Sequence, residues 1–153
     1  MLSNLADTRR VHTVLGARLP EYMPELRARA LQAVDHSEGR LRVAISNALV
    51  SIWKQDYGRG PTAARTIVDQ NLVFVVLQDG LTRNEQTLLA AGHEAAVRDF
   101  RMCFMETMSE KFIASVEEVT GGRVLTHASQ VAFAPAMTIE TFVLDGPLPD
   151  RPI

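Results

Sequence analysis

Cysteine is almost missing from this chain of 153 residues, where Cys103 stands alone. A single thiol forms no internal disulfide, which excludes a cystine-stapled scaffold and fits a reducing cytoplasm. Long apolar runs are lacking too. The longest, Leu72 to Leu77, has six residues, whereas a membrane-spanning helix needs roughly 20. Neither sign of charge dominates: 16 Lys and Arg stand against 18 Asp and Glu, a net −2. No whole-molecule field therefore draws the chain to nucleic acid or to an anionic membrane. One Trp and two Tyr offer little to stack on bases, and the basic residues are scattered, so no nucleic-acid partner is expected. The opening Met-Leu-Ser-Asn reaches Asp7, Arg9 and Arg10 without the apolar stretch of a signal peptide, and a cytoplasmic location is the expectation.

What remains is an ordinary globular composition, 46% hydrophobic and 22% charged, in a length that suits one domain with an attached arm. Residues 1–38 read as that arm. Pro24 fits the first turn of a helix, and Leu26, Ala30 and Val34 repeat every four residues on a thin stripe. From Gly39 the pattern strengthens. Leu41, Ile45, Leu49 and Ile52 line one face of an amphipathic helix that Tyr57-Gly58 and Pro61 bring to a stop. Two strands follow, Ala64 to Asp69 and Leu72 to Gln78, with Gln70-Asn71 as the hairpin turn and Asn71 suited to positive φ. The second strand is apolar on both sides, so a central place in a sheet covered on both faces is expected.

Thr82-Arg83-Asn84-Glu85 matches the capping box, in which a hydroxyl and a carboxylate satisfy each other's free backbone donors. Beyond it, the stretch to Val119 holds no proline and one glycine, Gly92. Leu89, Ala96, Phe100, Phe104, Met108, Phe112, Val116 and Val119 mark its apolar stripe, and Gly121-Gly122 ends it. An unbroken helix there would reach about 54 Å, far beyond a core whose radius of gyration is ~13 Å. It would have to kink or to project onto a second copy, and a homodimer through this long helix is the expectation. Arg123 to Phe133 and Met137 to Leu144 then form a second hairpin around Ala134-Pro135-Ala136. The fold class is α+β: helix, hairpin, long helix, hairpin, with a four-stranded antiparallel or mixed sheet packed with helices. The domain spans 39–145, and 146–153 is a frayed tail.

Catalytic patterns are hard to find. His93-Glu94 opens like a zinc-protease motif, but Val97 stands where the second histidine belongs. No metal site and no cofactor are expected. Ser46, Ser51, Ser109, Ser115 and Ser129 lack a nucleophile elbow. Cys103, beside Phe100 and Phe104, reads as a small buried hydrophobe. Arg98, Arg101 and Lys111 interleave with Glu94, Asp99, Glu106, Glu110, Glu117 and Glu118 on a solvated face, with Glu94 and Arg98 as an i, i+4 pair. No catalytic residue is assigned. The distinctive string is Gly58-Arg59-Gly60-Pro61-Thr62. It resembles a phosphate cradle in its glycines, yet a helix ends here, and a helix C-terminus disfavours anions. It reads first as a helix stop with a rigid lead into a strand. The functional alternative is a small-ligand or anion-binding domain, or an unrecognised enzyme, with a ligand or partner contact made by Tyr57, Arg59, Thr62 and Arg65 and the two arginines binding an anion.

Tyr57-Gly58-Arg59-Gly60-Pro61-Thr62-Ala63-Ala64-Arg65, then Leu72 to Leu77, Leu81-Thr82, Phe112 and Glu117-Glu118-Val119-Thr120-Gly121-Gly122-Arg123-Val124, together resemble the MpsC-like domain. The resemblance covers roughly residues 38–145. The family consists of small bacterial proteins named for a Na+-translocating, membrane-potential-generating system, with no established catalytic residues. The resemblance implies a non-enzymatic accessory or regulatory protein, a peripheral partner of a membrane complex. Family members often carry Ser-Asp where this chain has Ser129-Gln130.

Overall fold

The structure, a computed structural model, describes residues 24–148. They fall into two units, residues 24–40 and Leu41–Leu148, and the boundary lies within the first helix. That helix, α1, runs Pro24–Ile52, with Pro24 at its first position. Leu26 is exposed, while the side chains of Ala30 and Val34, which completed the expected stripe, lie outside the described residues. The frayed end expected at 146–153 is described only as far as Leu148, whose N–H donates to Gln70 O at 3.0 Å.

Within Leu41–Leu148, α1 buries Ile45, Leu49 and Ile52 as its spacing predicts. It then widens into a π-helical turn, Trp53–Tyr57, which Gly58 closes at φ 86°. A wider turn shifts the buried stripe by one residue. Ile52 and Trp53 are therefore both buried, and Tyr57 meets Trp53 edge-on, 4.8 Å between ring centroids.

Strands β1, Ala63–Asp69, and β2, Leu72–Gln78, form the first hairpin. Its positive φ falls on Gln70 (55°) and not on Asn71. Asn71 instead clasps the other hairpin: its Nδ2 donates to Leu144 O at 3.0 Å, and its carbonyl accepts from Leu144 N at 2.8 Å. Strands β3, Val124–Phe133, and β4, Ala136–Leu144, form the second hairpin across a cis Ala134–Pro135 bond. The sheet is antiparallel throughout, in the order β1-β2-β4-β3.

The expected single rod is two helices. The capping box at Thr82 and Glu85 opens α2, Arg83–Ala90, with both reciprocal bonds in place. Gly92, at φ 84°, breaks the chain, and α3 begins anew at Glu94 and runs to Thr120. A glycine enters this left-handed conformation without the steric cost of a Cβ, so one residue suffices as a hinge. At about 40 Å, α3 is long but no longer a 54 Å rod, and the break removes the reason for expecting a projecting helix. Gly121, φ 69°, caps it as expected.

The core lies between the sheet and the helices. Ile45, Leu49 and Trp53 meet Val73, Val75, Phe142 and Leu144 from the sheet and Met105, Phe112 and Val116 from α3. Among the described residues, no helix is long and apolar enough to cross a membrane.

Candidate functional site

Arg101 carries the densest chemistry in the fold. Expected on a solvated face, it is 2% exposed and sits on the inward face of α3 between Val97 and Met105. Its guanidinium grips the Glu85 carboxylate with two parallel bonds, Nε to Oε1 at 2.8 Å and Nη2 to Oε2 at 2.9 Å. Nη2 also donates to the Gly80 carbonyl at 2.9 Å, and Nη1 to Thr138 Oγ1 at 3.3 Å. The cation lies over the rings of Tyr57 and Trp53, 5.2 and 5.6 Å from their centroids. Tyr57 Oη donates to Glu85 Oε1. The π-turn, α2, α3, β4 and the Gly80 loop are thus tied to one charge.

Burial works against the Glu85 carboxylate, but hydrogen bonds from Arg101, Tyr57 and the Thr82 N–H outweigh it and hold the group below its usual range. Burial, reinforced by the bond to Glu85, pushes the Tyr57 phenol upward, so it stays neutral as a donor. A fully paired charge of this kind locks geometry, since removing either partner leaves an uncompensated ion in the interior.

The sequence-predicted residues separate around this hub. Tyr57 points inward to it. Arg59 is exposed just past the Gly58 cap. Thr62 is exposed and ties β1 to β2 through Gln78 O, 3.0 Å from its N–H and 3.3 Å from its hydroxyl. Arg65 is exposed on β1 opposite Val76, on the sheet face away from buried Thr66. No hydrogen bond or ion pair joins these four to one another among the described residues. The glycines have packing reasons: a Cβ at Gly60 would lie 2.5 Å from Lys54 Cγ, and one at Gly80 3.3 Å from Pro61 Cα. Pro61 therefore seats on the loop whose carbonyl Arg101 holds.

A second buried cluster lies farther along α3. Ser109 Oγ meets His127 Nδ1 at 2.8 Å, and His127 Nε2 meets Glu140 Oε2 at 2.7 Å. Ser129 Oγ donates to the same Glu140 oxygen. The imidazole stacks on Phe142, 4.6 Å between centroids, and meets Phe112 edge-on. Glu140 is 0% exposed, and its Oε1 has no hydrogen-bond partner. Ser, His and Glu in series resemble a nucleophile relay, and Ser109 sits inside α3, whose own backbone N–H groups are spent on the helix. The cluster fastens α3 to β3 and β4. Among the described residues no three His, Cys, Asp or Glu side chains gather as a metal site would require. Cys103, expected to be buried, is exposed on the outer side of α3.

A family model described as the Na+-translocating membrane potential-generating system (MpsC) matches residues 37–146. The chain belongs to the MpsC family. No curated protein and no solved structure matches it.

Both buried clusters of this MpsC protein fall inside the matched region. The Tyr-Gly-Arg-Gly-Pro string is explained by packing at three of its five positions: Tyr57 docks on Glu85, Gly60 admits Lys54, and Pro61 abuts Gly80. The Ser129-Gln130 departure also becomes clear. Ser129 faces inward to Glu140, whereas Gln130 is exposed on the other side of β3, so the change leaves the cluster untouched. Sequence reasoning missed Arg101, His127 and Glu140. The Val97-Arg101-Met105 spacing was the available signal for the first, and inward alternation with Thr138, Phe142 and Leu144 for Glu140.

Proposed function

We propose that this protein is a non-enzymatic accessory or regulatory component of a Na+-translocating, membrane-potential-generating system. It acts by contact, as a homodimer docked peripherally on a membrane complex from the cytoplasm. The observation that carries this reading is the family match over residues 37–146. The buried chemistry supports it: Glu85 and Arg101 are spent on each other, and the Ser109–His127–Glu140 series is spent on joining a helix to the sheet. Affinity purification of the tagged full-length chain from detergent-solubilised membranes of its native host tests it. An integral membrane complex should accompany the chain in stoichiometric amount, and a clean preparation of the chain alone would defeat the proposal.

A second reading has one observation in its favour. Lys54 folds over Gly60, beside exposed Arg59, so the loop presents two cations. We propose as the alternative that Tyr57, Arg59, Thr62 and Arg65 border an anion or small-ligand contact at Gly58-Arg59-Gly60-Pro61. A thermal-shift series with phosphate, sulfate and nucleotides should then raise the melting temperature, and Arg59→Ala should remove the rise. A flat series refutes it.

A further inference from the structure

The sheet has two unlike faces. Every helix contact described above falls on one of them, the face of Thr66, Val75, Thr138, Glu140 and Phe142. The other face is apolar where a solvated face of an antiparallel sheet is normally polar. On the central strands β2 and β4 it presents Leu72, Phe74, Val76, Met137, Ile139 and Val143, and no charged residue. None of these six belongs to the core packed under the helices. On edge strand β1, Ile67 is 43% exposed.

The strand register makes this face self-complementary. One row across the sheet is Ile67, Phe74, Thr141 and Ala128. The row on one side is Arg65, Val76, Ile139 and Gln130, and the row on the other is Asp69, Leu72, Val143 and Thr126. Each side therefore reads charge, aliphatic, aliphatic, polar, with opposite charges. We infer that this face binds a second copy of the chain about a two-fold axis lying along the middle row. That operation sets Arg65 of each copy over Asp69 of the other, Val76 over Leu72, Ile139 over Val143 and Gln130 over Thr126. Such a contact is isologous, the usual form of a closed dimer. Asp69 also engages another group of its own chain, and a carboxylate accepts more than one donor. An axis along the strands would instead lay β1 over β3 and bury both charges against Thr126, Ala128 and Gln130, without an opposite charge.

Four strands about 4.8 Å apart and seven residues at about 3.4 Å give a flat footprint of roughly 450 Å² per copy. Two such footprints total ~900 Å², below the roughly 1,200 Å² of stable specific interfaces and within the range of weak, transient ones. The dimer is accordingly reversible and concentration-dependent. This inference deepens the homodimer of the proposed function, and its test uses the purified chain alone, so it stands or falls independently of any membrane partner.

Sedimentation velocity of the full-length protein over a wide concentration range is the test. The wild type should move from 16.9 kDa toward twice that mass as concentration rises. Phe74→Asp should weaken association roughly tenfold or more, while Phe100→Asp, on the exposed side of α3, should leave it unchanged. Arg65→Asp should weaken it, and adding Asp69→Arg should restore it. Circular dichroism checks that Phe74→Asp folds, and if it does not, the charge reversal and its rescue decide alone. A wild type that stays monomeric, a Phe74→Asp variant that dimerises normally, a double reversal without rescue, or dissociation by Phe100→Asp in place of Phe74→Asp would each overturn the inference.

Discussion

Glu85 performs two tasks that are usually separate. One carboxylate oxygen takes the Thr82 N–H, 2.7 Å away, as the capping box requires, and both oxygens hold Arg101. Glu85→Gln keeps the shape but strips the charge from opposite a buried guanidinium. We expect it to lower unfolding stability by about 3–5 kcal/mol, measured by urea denaturation. The pH profile follows from the same group. A carboxylate held below its ordinary value contributes stability above that value and loses it as pH falls through the folded one. Tyr57 acts at the other end: a phenol raised above its ordinary value contributes in full below about 10 and loses that contribution as pH rises beyond it. Wild-type stability should therefore fall off in acid and in strong alkali, and Glu85→Gln should flatten the acid limb while the alkaline limb, set first by burial of Tyr57, persists. An unchanged profile would mean that the hub is not what these groups report on. Arg101 was illegible for a physical reason. Arginine is almost never fully buried unless paired, and its partner lies 16 residues away on another helix, which helical spacing cannot reveal.

At the level of elements, Gly92 decides the architecture. It stands at φ 84° with nothing within 4 Å of an added Cβ, so its cost of substitution is conformational and not steric crowding. Gly92→Ala should destabilise the protein by about 1–2 kcal/mol. Gly39, inside α1 and also without neighbours within 4 Å, makes the control: Gly39→Ala should stabilise by about 0.5–1 kcal/mol. Equal effects of the two in thermal or urea unfolding would contradict the assigned break. The helix stop at Gly58, the capping box, and the span Leu72–Gln78 were all legible, because each is written in contiguous residues. Gly92 was visible but ambiguous, since a glycine is tolerated within a helix at a cost of ~1 kcal/mol. The π-turn left no local mark. Strand order was not written locally: the apolar run of β2 suited a central place, but β4, the other central strand, carries Thr138 and Glu140 on its inward face, and nothing in its sequence pairs it with β2.

For the whole of Leu41–Leu148, the unequal faces of the sheet are the organising fact. Helices, both buried polar clusters and the aromatic packing of Trp53, Tyr57, Phe104 and Phe112 gather on one side. Leu72 to Gln78 was expected to be covered on both faces, and the structure supplies helix contacts for the inward one. The family match places the chain in MpsC, and its Glu85–Arg101 pair is committed to internal packing. Hydroxyl-radical footprinting as a function of protein concentration tests this most directly. Phe74 and Met137 should lose reactivity as concentration rises while Phe100, 61% exposed on α3, keeps its own. Protection of Phe100 with Phe74 and Met137 unaltered would contradict the account.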